Sequence, residues 1–152
     1  MQDALRKALK AKFSEYGFKK RGNGWHRCQG DVHVVVNLEK SQLVDGWYIN
    51  VGISLLSMFE DIWLSEVRSP IRFRVEEFDG LRAKARLLDA DAGRSLGAEA
   101  WLSGVVNELV QPLVVALVAI KDHAGLKVFL KESVTDNIFL HRDVRAVLQI
   151  GS

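Results

Sequence analysis

The sequence predicts an α+β fold: an N-terminal amphipathic helix, an antiparallel meander of about five strands, and two or three C-terminal helices packed on one face of the sheet. Two patterns carry this prediction. Apolar and polar residues alternate between Gly17 and Leu56, and glycine-containing turns divide the alternation into strands. A helical period precedes this region and returns at Ala98. One domain spanning residues 1–152 is expected, because the chain has no internal repeat and no linker rich in Pro, Ser or Gly.

The first helix is predicted over residues 3–16. Its apolar positions recur at helical spacing: Leu5, Leu9, Phe13 and Tyr16. Gly17 follows as a typical C-terminal stop. Residues 1–21 carry seven bases against two acids, so the opposite side of this helix is basic. We interpret it as a solvated face, with docking of an acidic partner as the alternative.

The sheet is predicted over residues 18–75. Turns at Gly22-Asn23-Gly24 and Gly30-Asp31 separate the first three strands. The fourth strand starts at Trp47, and the fifth is Ile71 to Val75. The charged, glycine-containing stretch that follows is predicted to be a loop that holds at most a short strand at residues 83–88.

The register between the third and fourth strands follows from matching apolar residues across the loop that joins them. Pairing Ser41 with Gly46 satisfies this condition. The register then places four further pairs opposite each other: Val36 and Val51, Asn37 and Asn50, Leu38 and Ile49, and Glu39 and Tyr48.

The C-terminal helices are predicted over residues 98–149. Beyond Pro112 the segment is apolar on all sides, which indicates full burial or a kinked pair of helices. Shorter helices are predicted near 125–131 and 142–149. The longest apolar run, Leu113 to Ile120, is well below the roughly 20 residues that a membrane-spanning helix needs, so no membrane association is expected.

Composition favours a protein of the reducing cytoplasm. Cys28 is the single cysteine, so no internal disulfide can form. Lys and Arg total 21 and Asp and Glu total 19, and the formal net charge of +2 provides no overall attraction to nucleic acid. Trp25, Trp47 and Phe73 are expected in the core rather than on a nucleic-acid surface.

The chain shows no spacing typical of a catalytic or metal site, and we expect no cofactor. The closest group is His26, Cys28 and His33, because the turn at Gly30-Asp31 pairs Cys28 with His33. Structural zinc usually needs four ligands, including a CxxC or HxxxH pair that is missing here. We therefore expect two surface histidines and a half-buried thiol.

The non-apolar side of the sheet holds the best candidate site. The residues predicted to lie there are Asn37, Glu39, Tyr48, Asn50, Arg72 and Arg74, with Gly52 leaving room beside them. Arginine recognises carboxylate or phosphate with two parallel bonds, amides offer a donor and an acceptor, and tyrosine adds contact area with a polar end. The alternative is that one face of an antiparallel sheet simply meets water.

Residues 1–75 also resemble the bacterial family numbered 4304 among the domains of unknown function. The resemblance lies in the first helix and in the segments GFKKRGNGWHR, VVNLEKSQ, YINVGI and IRFRV. It implies an α+β fold and a cytoplasmic bacterial protein, and no catalytic residue. The positions that match recurrent family residues are Asn37, Lys40, Ser41, Asn50 and Arg72. The family has glutamine where Glu39 stands and a Cys-His pair where Ser69 and Pro70 stand.

The leading functional hypothesis is a non-enzymatic module that docks another protein through the polar face, as an immunity or accessory protein does. The alternative is a small-ligand-binding protein or a hydrolase that acts on an anionic substrate at the same face. A homodimer through the apolar C-terminal helices is a third, structural possibility.

Overall fold

A computed structural model describes residues 1–58 and 64–150. Residues 59–63, inside the interval predicted as sheet, and residues 151 and 152 lie outside the described part. Helix α1 is Gln2–Glu15. The strands are β1 Lys19–Arg21, β2 Gly24–Gln29, β3 Val32–Lys40, β4 Trp47–Leu55, β5 Ile71–Arg74 and β6 Phe139–Leu140.

The six strands form an antiparallel meander in sequence order. The predicted register between β3 and β4 is confirmed: Asn37 lies opposite Asn50, and Glu39 lies opposite Tyr48. The Ser41 amide donates to the Gly46 carbonyl oxygen at 2.9 Å, which closes the loop as predicted. Cys28 also pairs with His33.

The apolar face of the sheet is covered by α1 and the C-terminal helices, which confirms the α+β prediction. Leu5, Leu9 and Phe13 of α1 are buried, and the Phe13 ring stacks on Trp25 with centroids 5.1 Å apart. At the far end of the sheet, Trp47 packs against Trp101 at 5.7 Å. Trp25, Trp47 and Phe73 therefore lie in the core, as predicted.

The C-terminal helices are α2 Ala90–Leu96, α3 Ala98–Gly104, α4 Gln111–Val118, α5 His123–Glu132 and α6 Arg142–Leu148. A π-helical segment, Val105–Val110, joins α3 to α4 and ends just before Pro112, where a helix cannot use a backbone N–H. Full burial, one of the two expected alternatives, was wrong, because Val115 is 47% exposed; the helical run is unbroken from Ala98 to Val118.

The continuous helix Ala98–Val118 is long and apolar enough, by length and composition alone, to cross a membrane. In this fold its apolar side faces the sheet instead. Trp101, Val105, Leu109, Leu113 and Leu117 all belong to the core. Core helices of this kind pass the same length and composition test.

Two local predictions were wrong. The short strand proposed at residues 83–88 is a 3-10 helix, Lys84–Leu88, in which backbone amides bond to nearby carbonyls such as that of Ala83 rather than to another strand. The stretch after it, predicted as a loop, contains α2.

Candidate functional site on the polar face of the sheet

All six predicted site residues lie on the same face of the sheet, because strand residues two apart share a face and the register aligns the strands. Asn50 pairs with Asn37 on one side and with Arg74 on the other. Glu39 and Tyr48 form the neighbouring pair, and Arg72 lies beside Gly52. The prediction that these six residues share one face of the sheet is therefore correct.

Asn50 is the centre of a hydrogen-bond network. Its Nδ2 group donates to Asn37 Oδ1 at 2.9 Å and to Glu39 Oε1 at 3.1 Å. Its Oδ1 accepts from Arg74 Nε at 3.4 Å. Asn37 and Asn50 are buried at 9% and 7% exposure, so this network replaces water for both amides.

Arg74 is held flat against an aromatic ring at the rim of the network. Its Cζ atom lies 3.6 Å from the centroid of the Tyr48 ring, and its guanidinium is 3.8 Å from Glu39 Oε1. Tyr48 is fixed in turn by the Ser41 hydroxyl, which donates to the Tyr48 oxygen at 3.2 Å. The Arg74 and Glu39 side chains stay 47% and 55% exposed, so these groups are ordered and still accessible.

Arg72 stacks in the same way on an aromatic ring of the neighbouring strand β6. Its Cζ atom lies 4.1 Å from the centroid of the Phe139 ring, and its Nη1 donates to the Val67 carbonyl oxygen at 3.0 Å. Phe139 comes from β6 and is 45% exposed. The Nε of Arg72 is buried and has no hydrogen-bond partner among the described residues.

A shallow groove of about 320 Å³ runs between these residues and the 3-10 helix Glu66–Arg68. Glu66 and Val67 form one wall, and the strand residues form the floor. Burial raises the pKa of the Glu66 carboxyl; Arg72 opposes this effect and Glu39 adds to it. The groove therefore carries two carboxyl groups and two guanidinium groups close together.

Residues 64–70, which lead into β5, cover the other half of the polar face. Val35 and Leu64 are buried at 1% and 3% exposure but do not belong to the main core cluster. Ser69 is 2% exposed and fills the space beside Gly52, where a Cβ atom would lie only 2.5 Å from the Ser69 hydroxyl. The room expected beside Gly52 is thus occupied, whereas the end of the face with the Asn50 network is open.

His26 and His33 lie under this covered half, so the expectation of two surface histidines was wrong. They are 4% and 0% exposed, their rings stack at 5.1 Å, and His26 Nδ1 lies 2.9 Å from His33 Nε2. One of these nitrogens donates and the other accepts, while His33 Nδ1 lies 3.3 Å from Ser54 Oγ. Both rings are therefore buried and satisfy part of their hydrogen-bonding capacity through each other.

Cys28 is exposed rather than half-buried, although the desolvation of its thiol by neighbouring atoms still raises the pKa of that group. Among residues 1–58 and 64–150, no group of three His, Cys, Asp or Glu side chains is placed to hold a metal. The weak candidates His26, Cys28 and His33 therefore do not form a metal site with other described residues.

The groove presents both carboxyl and guanidinium groups to solvent. Serine, cysteine and histidine are missing from the described residues that line it. Sequence reasoning missed Glu66, Val67 and Phe139. Phe139 lies in a two-residue strand, too short to show a period, and residues 66–68 form a single turn with no apolar pattern.

An α+β domain with a half-covered polar sheet face is the class that fold and site define. The chain belongs to the family described as a domain of unknown function (DUF4304), whose model matches residues 9–98. The matched region contains all six site residues predicted from the sequence and also Glu66. No curated protein and no solved structure matches the chain.

Proposed function

We propose that this protein is a non-enzymatic, cytoplasmic interaction module that docks another protein in the groove on its polar sheet face. The observation that carries the proposal is the pair of arginine side chains held flat on aromatic rings, Arg74 on Tyr48 and Arg72 on Phe139. The single Cys28 suits a reducing compartment.

Ordered arginines reduce the entropy cost of binding. A free arginine side chain loses rotamer freedom worth about 2 kcal/mol when it is fixed. The stacks at Tyr48 and Phe139, together with the bond from Arg72 to the Val67 carbonyl, fix both guanidinium groups before a partner arrives. Arginine and tyrosine are also the residue types in which binding energy concentrates at protein interfaces.

The shape and charge of the groove also favour a protein partner. Its volume of about 320 Å³ is near the lower limit for small-molecule pockets, which are typically about 300–1,000 Å³, and it is an open groove rather than an enclosed cavity. Glu39 and Glu66 face Arg72 and Arg74 within one groove. A polypeptide, which presents both charges and backbone amides, complements this mixture better than a simple anion does.

The second candidate is a small-ligand-binding protein or a hydrolase that acts on an anionic substrate in the same groove. It is favoured by Glu66, whose raised pKa beside two arginines is a feature of a general acid. Such an enzyme would use water or the Glu39 carboxylate as the nucleophile, because the described lining residues include no serine, cysteine or histidine. Turnover of a phosphate or carboxylate ester that is lost in Glu66→Gln would establish this candidate over the first.

The test of the docking proposal is quantitative affinity capture from the native cell lysate. The wild-type protein is compared with Arg72→Gln, Arg74→Gln, which removes the two guanidinium charges from the groove. The matched control is Lys7→Gln, Arg142→Gln, which removes two charges from exposed positions elsewhere; the Arg142 side chain is 92% exposed. Asn50 is left intact, because replacing this buried residue would lower the stability of the fold, and a loss of binding could then not be assigned to the groove.

We expect the wild type and the control to recover a partner equally, and the groove variant to recover about tenfold less of it. A tenfold loss of affinity corresponds to about 1.4 kcal/mol. Thermal unfolding of the three proteins checks that the folded fraction is equal. Equal recovery of every captured protein by all three forms contradicts the proposal.

A further inference from the structure

A second concave site lies at the C-terminal end of the chain, away from the groove. It is a pocket of about 600 Å³ between α5, β6 and α6. This volume is in the middle of the range of about 300–1,000 Å³ that is typical of small-molecule sites.

The floor of this C-terminal pocket is aliphatic. Leu130, Ile138, Leu140 and Ile150 line it, and each is half-buried and packed against the core. Their remaining exposed surface faces the pocket, so an alkyl chain placed there would remove apolar surface from water on both sides of the contact.

The rim of the C-terminal pocket is basic. Lys127 and Lys131 line it from the exposed side of α5, one turn apart, and Arg145 lines it from α6. Asp136 is the one acid among the described residues of the lining. In the part of the chain that the structure describes, neither lysine takes part in an ion pair.

This pocket is separate from the groove although both touch β6. Phe139 and Leu140 are consecutive residues of that strand, so their side chains point to opposite faces. Phe139 lies under Arg72 in the groove, whereas Leu140 lines the C-terminal pocket. A ligand in the pocket therefore does not occupy the docking surface.

We propose that the C-terminal pocket binds an alkyl monocarboxylate, a molecule of the fatty-acid class. The alkyl chain lies on the aliphatic floor, and the carboxylate lies between the ammonium groups of Lys127 and Lys131. One apolar tail and one negative head match one aliphatic floor and one basic rim. A dianion without a tail would leave the floor exposed to water, and an alkyl cation would meet the rim charges.

Isothermal titration calorimetry tests this proposal with octanoate, decanoate and dodecanoate, each below the concentration at which it forms micelles. Decylamine is the charge control, since it has the same chain and the opposite charge. The test variant is Lys127→Glu, Lys131→Glu. The matched variant is Lys7→Glu, Lys10→Glu, which changes the net charge equally on the exposed side of α1.

We expect at least one of the carboxylates to bind the wild type and the α1 variant alike, and to bind Lys127→Glu, Lys131→Glu on the order of tenfold more weakly. Decylamine should not bind. The proposal is overturned if none of the three carboxylates binds, if the two double variants bind them equally, or if decylamine binds as well as decanoate.

Discussion

Asn50→Ala should destabilise the protein without disturbing its main core, because it removes the centre of the polar network. Three hydrogen bonds of 2.9, 3.1 and 3.4 Å are lost. Asn37 is only 9% exposed, so its side-chain Oδ1 would stay buried without the donor that Asn50 supplies, which costs about 1–3 kcal/mol. Glu39 and Arg74 are half-exposed and regain water, so each adds about 0.5 kcal/mol or less. The expected loss is about 2–3 kcal/mol in the free energy of unfolding.

Urea unfolding followed by far-ultraviolet circular dichroism measures this loss directly. At about 2–4 °C per kcal/mol for a chain of this size, the melting temperature should fall by about 5–10 °C. Asn137→Ala, at an exposed asparagine, serves as the control and should stay within about 0.5 kcal/mol of the wild type. Combining Asn50→Ala with Asn37→Ala should cost less than the sum of the two, since they share one bond. A loss for Asn50→Ala no larger than that of the control refutes the network account.

Three further predictions concern the covering segment, the groove carboxyl and the oligomeric state. Gly52→Ala should cost about 1–3 kcal/mol, because its Cβ meets Ser69 at 2.5 Å, and adding Ser69→Gly should restore part of that loss in the same urea assay; no restoration would argue against the contact. Burial raises the pKa of the Glu66 carboxyl in the folded protein above its ordinary value of 4.5. Ionising this carboxyl therefore costs more in the folded than in the unfolded chain, and the free energy of unfolding falls as the pH rises above 4.5. Glu66→Gln should therefore be more stable than the wild type at pH 7 and no different at pH 3, and a gain of the same size at both pH values would contradict this. The homodimer stays a prediction that light scattering tests: a mass twice that of the 17.1 kDa chain supports it, and the mass of one chain contradicts it.

The strands and their register could be predicted because each side chain position is tied to a face. A slip of one residue would move Val34, Val36 and Leu38 out of the core, and a slip of two would separate Asn37 from Asn50. The residues that fix the register all lie between Val34 and Ile53, so a short stretch of sequence is enough to predict it. Strand β6 has only two residues and no period of its own, and it forms because the chain returns to the edge of β5.

The candidate site was predictable as a face and not as a groove. The alternation placed six residues together, but the groove also needs Glu66 and Phe139, which distant segments bring in. The covering of half the face had one signal in the sequence: the apolar residue Val35 lies opposite Gly52 on an otherwise polar face. Such a pair indicates close packing against another segment, and it also explains why the histidines beside it are buried.

The most direct test of the central claim, that the groove docks another protein, is photo-crosslinking in living cells. Phe139 is replaced by p-benzoylphenylalanine, which keeps an aromatic ring at a position 45% exposed in the groove. The same photoreactive residue at Val128, which is 53% exposed on α5, is the control. We expect a covalent adduct with a second protein at position 139 and none at 128. Absence of an adduct at 139, or the same adduct at both positions, contradicts it.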